Sequence, residues 1–274
     1  MNFKKFALLT SVLTSMLVTL TSPTAVAGSK ANQAPSHEPQ QIVSFAKNVE
    51  KYAAQQGARA FIIARVGRPQ KDLPRGIHYT HTAIAIYSDI TMENGEVLQG
   101  YAIHNLYQKE GQLDKSQLVI DYPVDFFWGA HDLKAGIIIP TPEIQQRLID
   151  LISSGQDSSL HNDNYSVLAN PMNDQFQNCT EYTLDLLNAA IYQTTDMAKL
   201  KANATAYFTP QRLHTNGFKL MLGSMLQDDI TTKDHKGKVA TATFTSIAQY
   251  LNQYGLVNSM VTYYSDGSTQ AVGS

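Results

Sequence analysis

The spacing of hydrophobic and polar positions marks out elements along most of the chain. Ile42, Val43, Phe45, Ala46, Val49 and Tyr52 recur at helical spacing, and Gly57 closes that run. Ala60 to Val66 (AFIIARV) has the pattern of a buried strand. A loop over 67–76, with Pro69, Pro74, Arg68 and Arg75, leads into a β-branched and aromatic strand from Tyr79 to Tyr87. A turn around Glu93-Asn94-Gly95 and a strand from Leu98 to Tyr107 follow, and Gly136 to Ile139 is a further apolar strand. Thr141-Pro142-Glu143 opens a helix with Ile144, Leu148, Leu151 and Ile152 on one face, ending at Gly155. A later helix, with Tyr182, Leu184, Leu186, Leu187, Ala189 and Ile191, is apolar over most of its surface and so belongs in the interior. The pattern predicts one α+β domain over residues 41–265, an antiparallel sheet against a central helix, with 266–274 as a frayed tail.

Composition changes the picture by exclusion. Hydrophobic residues make up 43% and charged residues 16%, enough apolar side chain for a full core. Lysine plus arginine total 21 against 23 acids, a formal charge of −2, which lacks the basic excess that a nucleic-acid partner requires.

The first residues read as a secretory signal peptide over 1–27. Lys4 and Lys5 precede an apolar stretch from Phe6 to Leu20, and Ala25-Val26-Ala27 is a small-residue cleavage site. Thr10, Ser11, Thr14 and Ser15 make the stretch too polar for a comfortable membrane span. Residues 28–40 are expected to be a loose leader. The protein is therefore expected to be exported, periplasmic or secreted, with no integral membrane segment after cleavage.

The chain has one cysteine, Cys179, so no internal disulfide can form and no cysteine-based zinc cage exists. Asn178 before it is a good N-cap, and Glu181 stands where a capping box would return the hydrogen bond. Cys179 thus falls at the first helical position, where backbone N–H groups and the helix dipole favour a thiolate. A buried structural thiol or an intermolecular disulfide is the bland alternative.

A thiolate nucleophile needs a base, and His81 begins the alternating strand HTAIAIY. Its face continues through Ala83 and Ala85, small enough to admit a helix. Strand alternation favours His104, in the next strand, as the residue that orients His81; Asn105 is the second choice. Gln177, with Gln175 in competition, is a candidate oxyanion donor. His78, His81 and His104 could be metal ligands, but the strand pattern splays them and no acidic residue stands at ligand spacing, so no metal or other cofactor is expected.

The order of a His strand, a second polar strand and then Asn-Cys opening a long helix resembles the circularly permuted branch of the NlpC-type papain-like cysteine peptidases. Shorter runs are similar to an uncharacterised bacterial domain family, notably Thr80-His81, Ile103-His104, Asp125-Phe126-Phe127, Pro140 to Gln145 and Tyr165 to Pro171 leading into Gln177-Asn178-Cys179. The resemblance implies a papain-like fold with Cys179, His81 and a polar third residue as the machinery. On that basis the chain is expected to be an exported cysteine peptidase or amidase acting on a peptide or acyl substrate, with cell-envelope peptides as a compartment-based choice. The alternatives are an acyltransferase using a lipid or other acyl donor, and a non-catalytic binding module on the same fold.

Overall fold

The computed structural model describes residues 34–92, 94–213 and 231–272. The expected signal peptide, the leader up to residue 33, Glu93 of the expected turn and the last two residues of the tail lie outside the described residues.

The elements in chain order are α1 (Pro39–Gln55), β1 (Ala60–Val66), β2 (His81–Thr91), β3 (Val97–Lys109), β4 (Gln112–Asp121), α2 (Pro123–Trp128), β5 (Asp132–Pro140) and α3 (Pro142–Ser153). They continue with α4 (Cys179–Tyr192), α5 (Met197–Tyr207), the short β6 (Gln211–Arg212) and β7 (Ala240–Thr241), α6 (Phe244–Gln253), β8 (Val257–Tyr264) and β9 (Thr269–Ala271). Among the described residues, seven strands form one antiparallel sheet in the order β4-β3-β2-β1-β5-β8-β9, and β6 and β7 pair separately. The α+β class and the antiparallel sheet agree with the periodicities of the sequence.

Register decides which side chains meet. Arg65 lies opposite His81, Ile62 opposite Ile84, and Ile84 opposite His104. Opposed residues of an antiparallel pair project from the same face, so odd-numbered positions of β1, β2 and β3 share one face and even-numbered positions the other. The odd face, with Phe61, Ile63, Ala83, Ala85 and Ile103, packs on α1 and α2 through Ile42, Phe45, Val49, Phe126 and Phe127. The even face, with Ile62, Ala64, Ile84 and Leu106, packs on α3, α4 and α6 through Leu148, Leu184, Leu187 and Ile247. Each such fully buried aliphatic or aromatic side chain contributes about 2 kcal/mol by leaving water.

This corrects one expectation. The small residues Ala83 and Ala85 do admit helices, but the helices are α1 and α2; the cysteine-bearing α4 lies against the branched residues of the opposite face. Alternation shows that the two faces differ. It does not show which helix covers which.

Two boundaries also shift. Helix α1 begins at Pro39, inside the expected leader, with proline at the first turn where its missing N–H costs nothing. The expected frayed tail contains β9, which pairs with β8 from Val261 to Tyr263. Asp266 organises the connecting turn by accepting from the Ser268 N–H at 2.9 Å and the Ser268 hydroxyl at 2.6 Å. Gly136 on β5 is required by close approach, since a Cβ there would stand 2.7 Å from the Phe244 ring and 3.0 Å from Tyr79. Among the described residues no helix is long and apolar enough to cross a membrane.

Candidate active site

Cys179 is the first residue of α4, and the cap is built as its sequence requires. The Asn178 carboxamide oxygen accepts from the N–H of Thr180 at 3.1 Å and of Glu181 at 2.9 Å. The Asn178 amide donates to Val167 O at 3.0 Å, tying the helix start to the preceding loop. Glu181 does not return a capping-box hydrogen bond. Its carboxyl turns inward and accepts through Oε1 from Lys201 Nζ at 2.7 Å, because a buried ammonium is the stronger partner.

The thiol is 6% exposed and lines a cavity of about 100 Å³. Its sulfur lies 3.8 Å from the Thr180 hydroxyl and is hydrogen-bonded to the backbone of Thr82, the residue after His81. The expected thiolate is corrected here. Burial pushes the thiol above its ordinary value, against the opposing pull of the Thr82 and Thr180 backbone, the Thr180 hydroxyl and the Arg65 charge. At rest Cys179 is a protonated thiol.

His81, at the start of β2, is 1% exposed and lies on the odd face. Its ring stacks on Tyr107 with centroids 4.6 Å apart and planes 7° from parallel, and tilts against Phe126 at 5.5 Å. Its Nε2 bonds to Asn105 Oδ1 at 2.9 Å. Asn105 Nδ2 donates to Ile103 O at 2.9 Å, so Oδ1 is the acceptor and Nε2 carries the proton. Nδ1 is therefore an unprotonated lone pair, buried and without a hydrogen-bond partner among the described residues. Burial and the Arg65 charge lower the imidazole to about 3, against the weaker upward pull of the Asn105 hydrogen bond, so the ring is neutral at physiological pH.

The third residue is the second correction. His104 was the expected partner of His81, yet Asn105 holds the ring and His104 sits on the opposite face. The cause is register: 81 stands across from 107 in the continued pairing, so 105 shares its face and 104 does not. His104 is half-buried, and desolvation lowers its imidazole despite the charge of Asp157.

Gln177 is also displaced from its expected role as oxyanion donor. Its Nε2 donates to Leu160 O at 3.0 Å and to Asp185 Oδ2 at 2.8 Å, while Oε1 accepts from the Asn162 N–H at 2.9 Å. A carboxamide with all these partners holds the loop under α4 and has nothing to offer a substrate. The Cys179 N–H, which the Asn178 cap does not take, is the first-turn donor at hand.

Residues outside the expected triad complete the His81 environment. Tyr107 donates to Asp121 Oδ2 at 2.6 Å, and Arg65 sits 5.7 Å from the Tyr107 centroid and 5.4 Å from that of Phe126, donating to Phe126 O. The signal was present in the sequence: Arg65 is the one charged residue in an otherwise apolar strand. Among the described residues no group of three or more His, Cys, Asp or Glu is placed to hold a metal ion.

The structure thus brings His81 to Asn105 and brings Cys179 to the backbone of Thr82. The thiol and the imidazole share no hydrogen bond at rest. A family model described as an uncharacterized protein conserved in bacteria (DUF2145) matches residues 52–251. No curated protein and no solved structure matches the chain.

Proposed function

The chain belongs to that family of uncharacterised bacterial proteins, whose description names no activity, and from the site itself we propose that it is a thiol hydrolase, with Cys179 as nucleophile, His81 as general base and Asn105 as the residue that orients His81. One observation carries the reading: a buried imidazole is fixed through Nε2 by Asn105 and keeps a bare Nδ1 lone pair, one residue away from the amide that touches the thiol. A structural histidine gains nothing from an unpartnered buried nitrogen, whereas a base requires one. The resemblance to the permuted papain-like peptidases supports the same assignment, and the signal-like N-terminus supports export.

The resting pair is a thiol and a neutral imidazole. On this reading substrate binding in the cavity closes the gap between them, as catalytic hydrogen bonds often tighten only in the complex. The Sγ–H proton passes to Nδ1 as sulfur bonds to the carbonyl carbon, and the oxyanion is held near the Cys179 N–H and the helix start. The carbonyl–heteroatom bond breaks, the leaving group takes the proton from His81, and a thioester remains. Water, deprotonated by His81, then releases the acid and restores the thiol.

The test is acylation of the purified protein by p-nitrophenyl acetate. The expected result is release of nitrophenol with an acetyl group on Cys179 by mass spectrometry. Cys179→Ala should abolish it, and His81→Ala should slow it by about 10²-fold or more. Equal turnover by Cys179→Ala would sink the proposal. A second reading, a binding module on the same cavity, is favoured by the missing thiol–imidazole hydrogen bond, and it expects no acyl-enzyme in any variant.

A further inference from the structure

The cavity beside Cys179 shows what kind of group it takes. Leu73, Ile77, Val167, Leu168, Leu213 and Ala242 supply its walls. The polar groups among them are already committed within the protein. Tyr79 OH pairs with Thr262 Oγ1 at 2.7 Å, Thr241 Oγ1 donates to Ala169 O at 3.0 Å, Thr243 Oγ1 caps α6, and Thr180 Oγ1 donates to Thr82 Oγ1 at 3.4 Å. Among the described residues, the charged side chains of the lining are Arg68, which is half-buried, and Asp72, which is exposed. They are of opposite sign.

We propose that this cavity is the acyl-side specificity pocket of the Cys179 site and that it takes a neutral, branched aliphatic group; this rests on the thiol-hydrolase reading above. The walls fit the chemistry, because an apolar group entering them displaces water that finds few free partners, while a carboxylate there would lose its hydration and meet the Asp72 charge as well as that of Arg68. Size fits as well. A dry cavity of roughly 150 Å³ holds a benzene molecule, so about 100 Å³ holds on the order of four carbon atoms, the bulk of an isobutyl group. The pocket therefore selects against the carboxylate-bearing cell-envelope peptides that the compartment alone suggests, wherever the charge falls beside the scissile carbonyl.

The reaction that reads this out is thioester formation from an aryl ester. The S–C bond forms, the C–O bond to nitrophenolate breaks, and the thiol proton leaves through His81 to the aryloxide. The probes are the p-nitrophenyl esters of acetate, isovalerate, hydrogen succinate and decanoate, with Cys179→Ala as the background. Acylation of Cys179 is expected to be about tenfold or more faster with isovaleryl than with acetyl, since roughly three more carbons are buried. Succinyl should fall below acetyl, and decanoyl should gain nothing over isovaleryl because the pocket is already filled. Ile77→Asp, in a loop outside the sheet, should remove the isovaleryl advantage. Acylation of Cys179 at rates indifferent to the acyl group, or fastest with succinyl, overturns this inference and leaves the hydrolase reading standing. No acylation of Cys179 by any ester overturns both.

Discussion

Arg65 on β1 is the direct cross-strand partner of His81 on β2, and its guanidinium shares with the imidazole the rings of Tyr107 and Phe126. A permanent cation is thus buried beside a base. It repels a proton on the imidazole and attracts charge on sulfur, so it lowers both groups. Burial outweighs this pull at sulfur and adds to the push at the imidazole, so the resting pair is neutral, and the thiolate forms only as its proton leaves for the base during attack.

The first prediction follows from that cation. The His81 ring protons, followed by NMR, should show no titration from pH 8 down to about pH 4, consistent with a value of about 3. In Arg65→Met the imidazole should titrate at higher pH, and the pH dependence of iodoacetamide labelling at Cys179 should move upward too. Arg65→Lys keeps the charge and should move both less. A wild-type ring titrating near 6.5 would refute this arrangement.

Stability should carry the same signature. His81 is lowered in the folded state, so between about 6.5 and about 3 the unfolded chain binds the proton that the folded chain refuses. That contribution is fully present above the unfolded value and is lost as pH falls through this window, by up to a few kcal/mol. Urea midpoints of the wild type and His81→Gln, compared at pH 7 and pH 4, should diverge, with the wild type losing more. Parallel losses would show that His81 protonates freely in the folded protein.

The choice between the two candidate third residues is tested by activity. Asn105→Ala removes the acceptor that fixes Nε2–H, so the ring can rotate or change tautomer. Ester hydrolysis should drop by about tenfold or more, with the binding of substrate little changed. His104→Ala, on the opposite face, should leave the rate near wild type. The reverse order of effects would restore His104 to the triad.

How much of this was legible in the sequence varies by residue, for physical reasons. Asn178 and Cys179 were legible because a cap is a local interaction: the cap oxygen meets amides two and three residues away. His81 stood out as a polar residue opening an apolar strand. Whether His104 or Asn105 would meet it depends on strand register, which is set by pairing across the sheet and invisible within either strand. Gln177 stood in a suggestive position, but its partners Leu160, Asn162 and Asp185 come from other segments. The tail was read as frayed because Thr269–Ala271 is too short to show a period, and its order comes from β8.

The last prediction concerns the ion cluster beneath the site. Lys201 Nζ donates to Glu181 Oε1 at 2.7 Å and to Asp185 at 2.8 and 2.9 Å, and both acids are fully buried. Two carboxyls share one cation, and burial holds the Glu181 carboxyl up to about 8, against the pull of Lys201. Glu181 Oε2 has no hydrogen-bond partner among the described residues, so Glu181 is the group that keeps the extra proton. A raised acid in the folded state gives the opposite slope to His81. Its contribution is present below about 4.5, where both states are protonated, and is lost as pH rises through about 8 while the unfolded chain releases its proton freely. Lys201→Met should cost about 3–5 kcal/mol by leaving the carboxyls without a cation. Glu181→Gln should cost far less at pH 6, because a neutral group replaces a neutral group, and its urea midpoint should hold between pH 6 and pH 9 where the wild type declines. If the Glu181→Gln and wild-type midpoints fall in parallel over that range, Glu181 is ionised in the folded protein and Lys201 balances both acids at once.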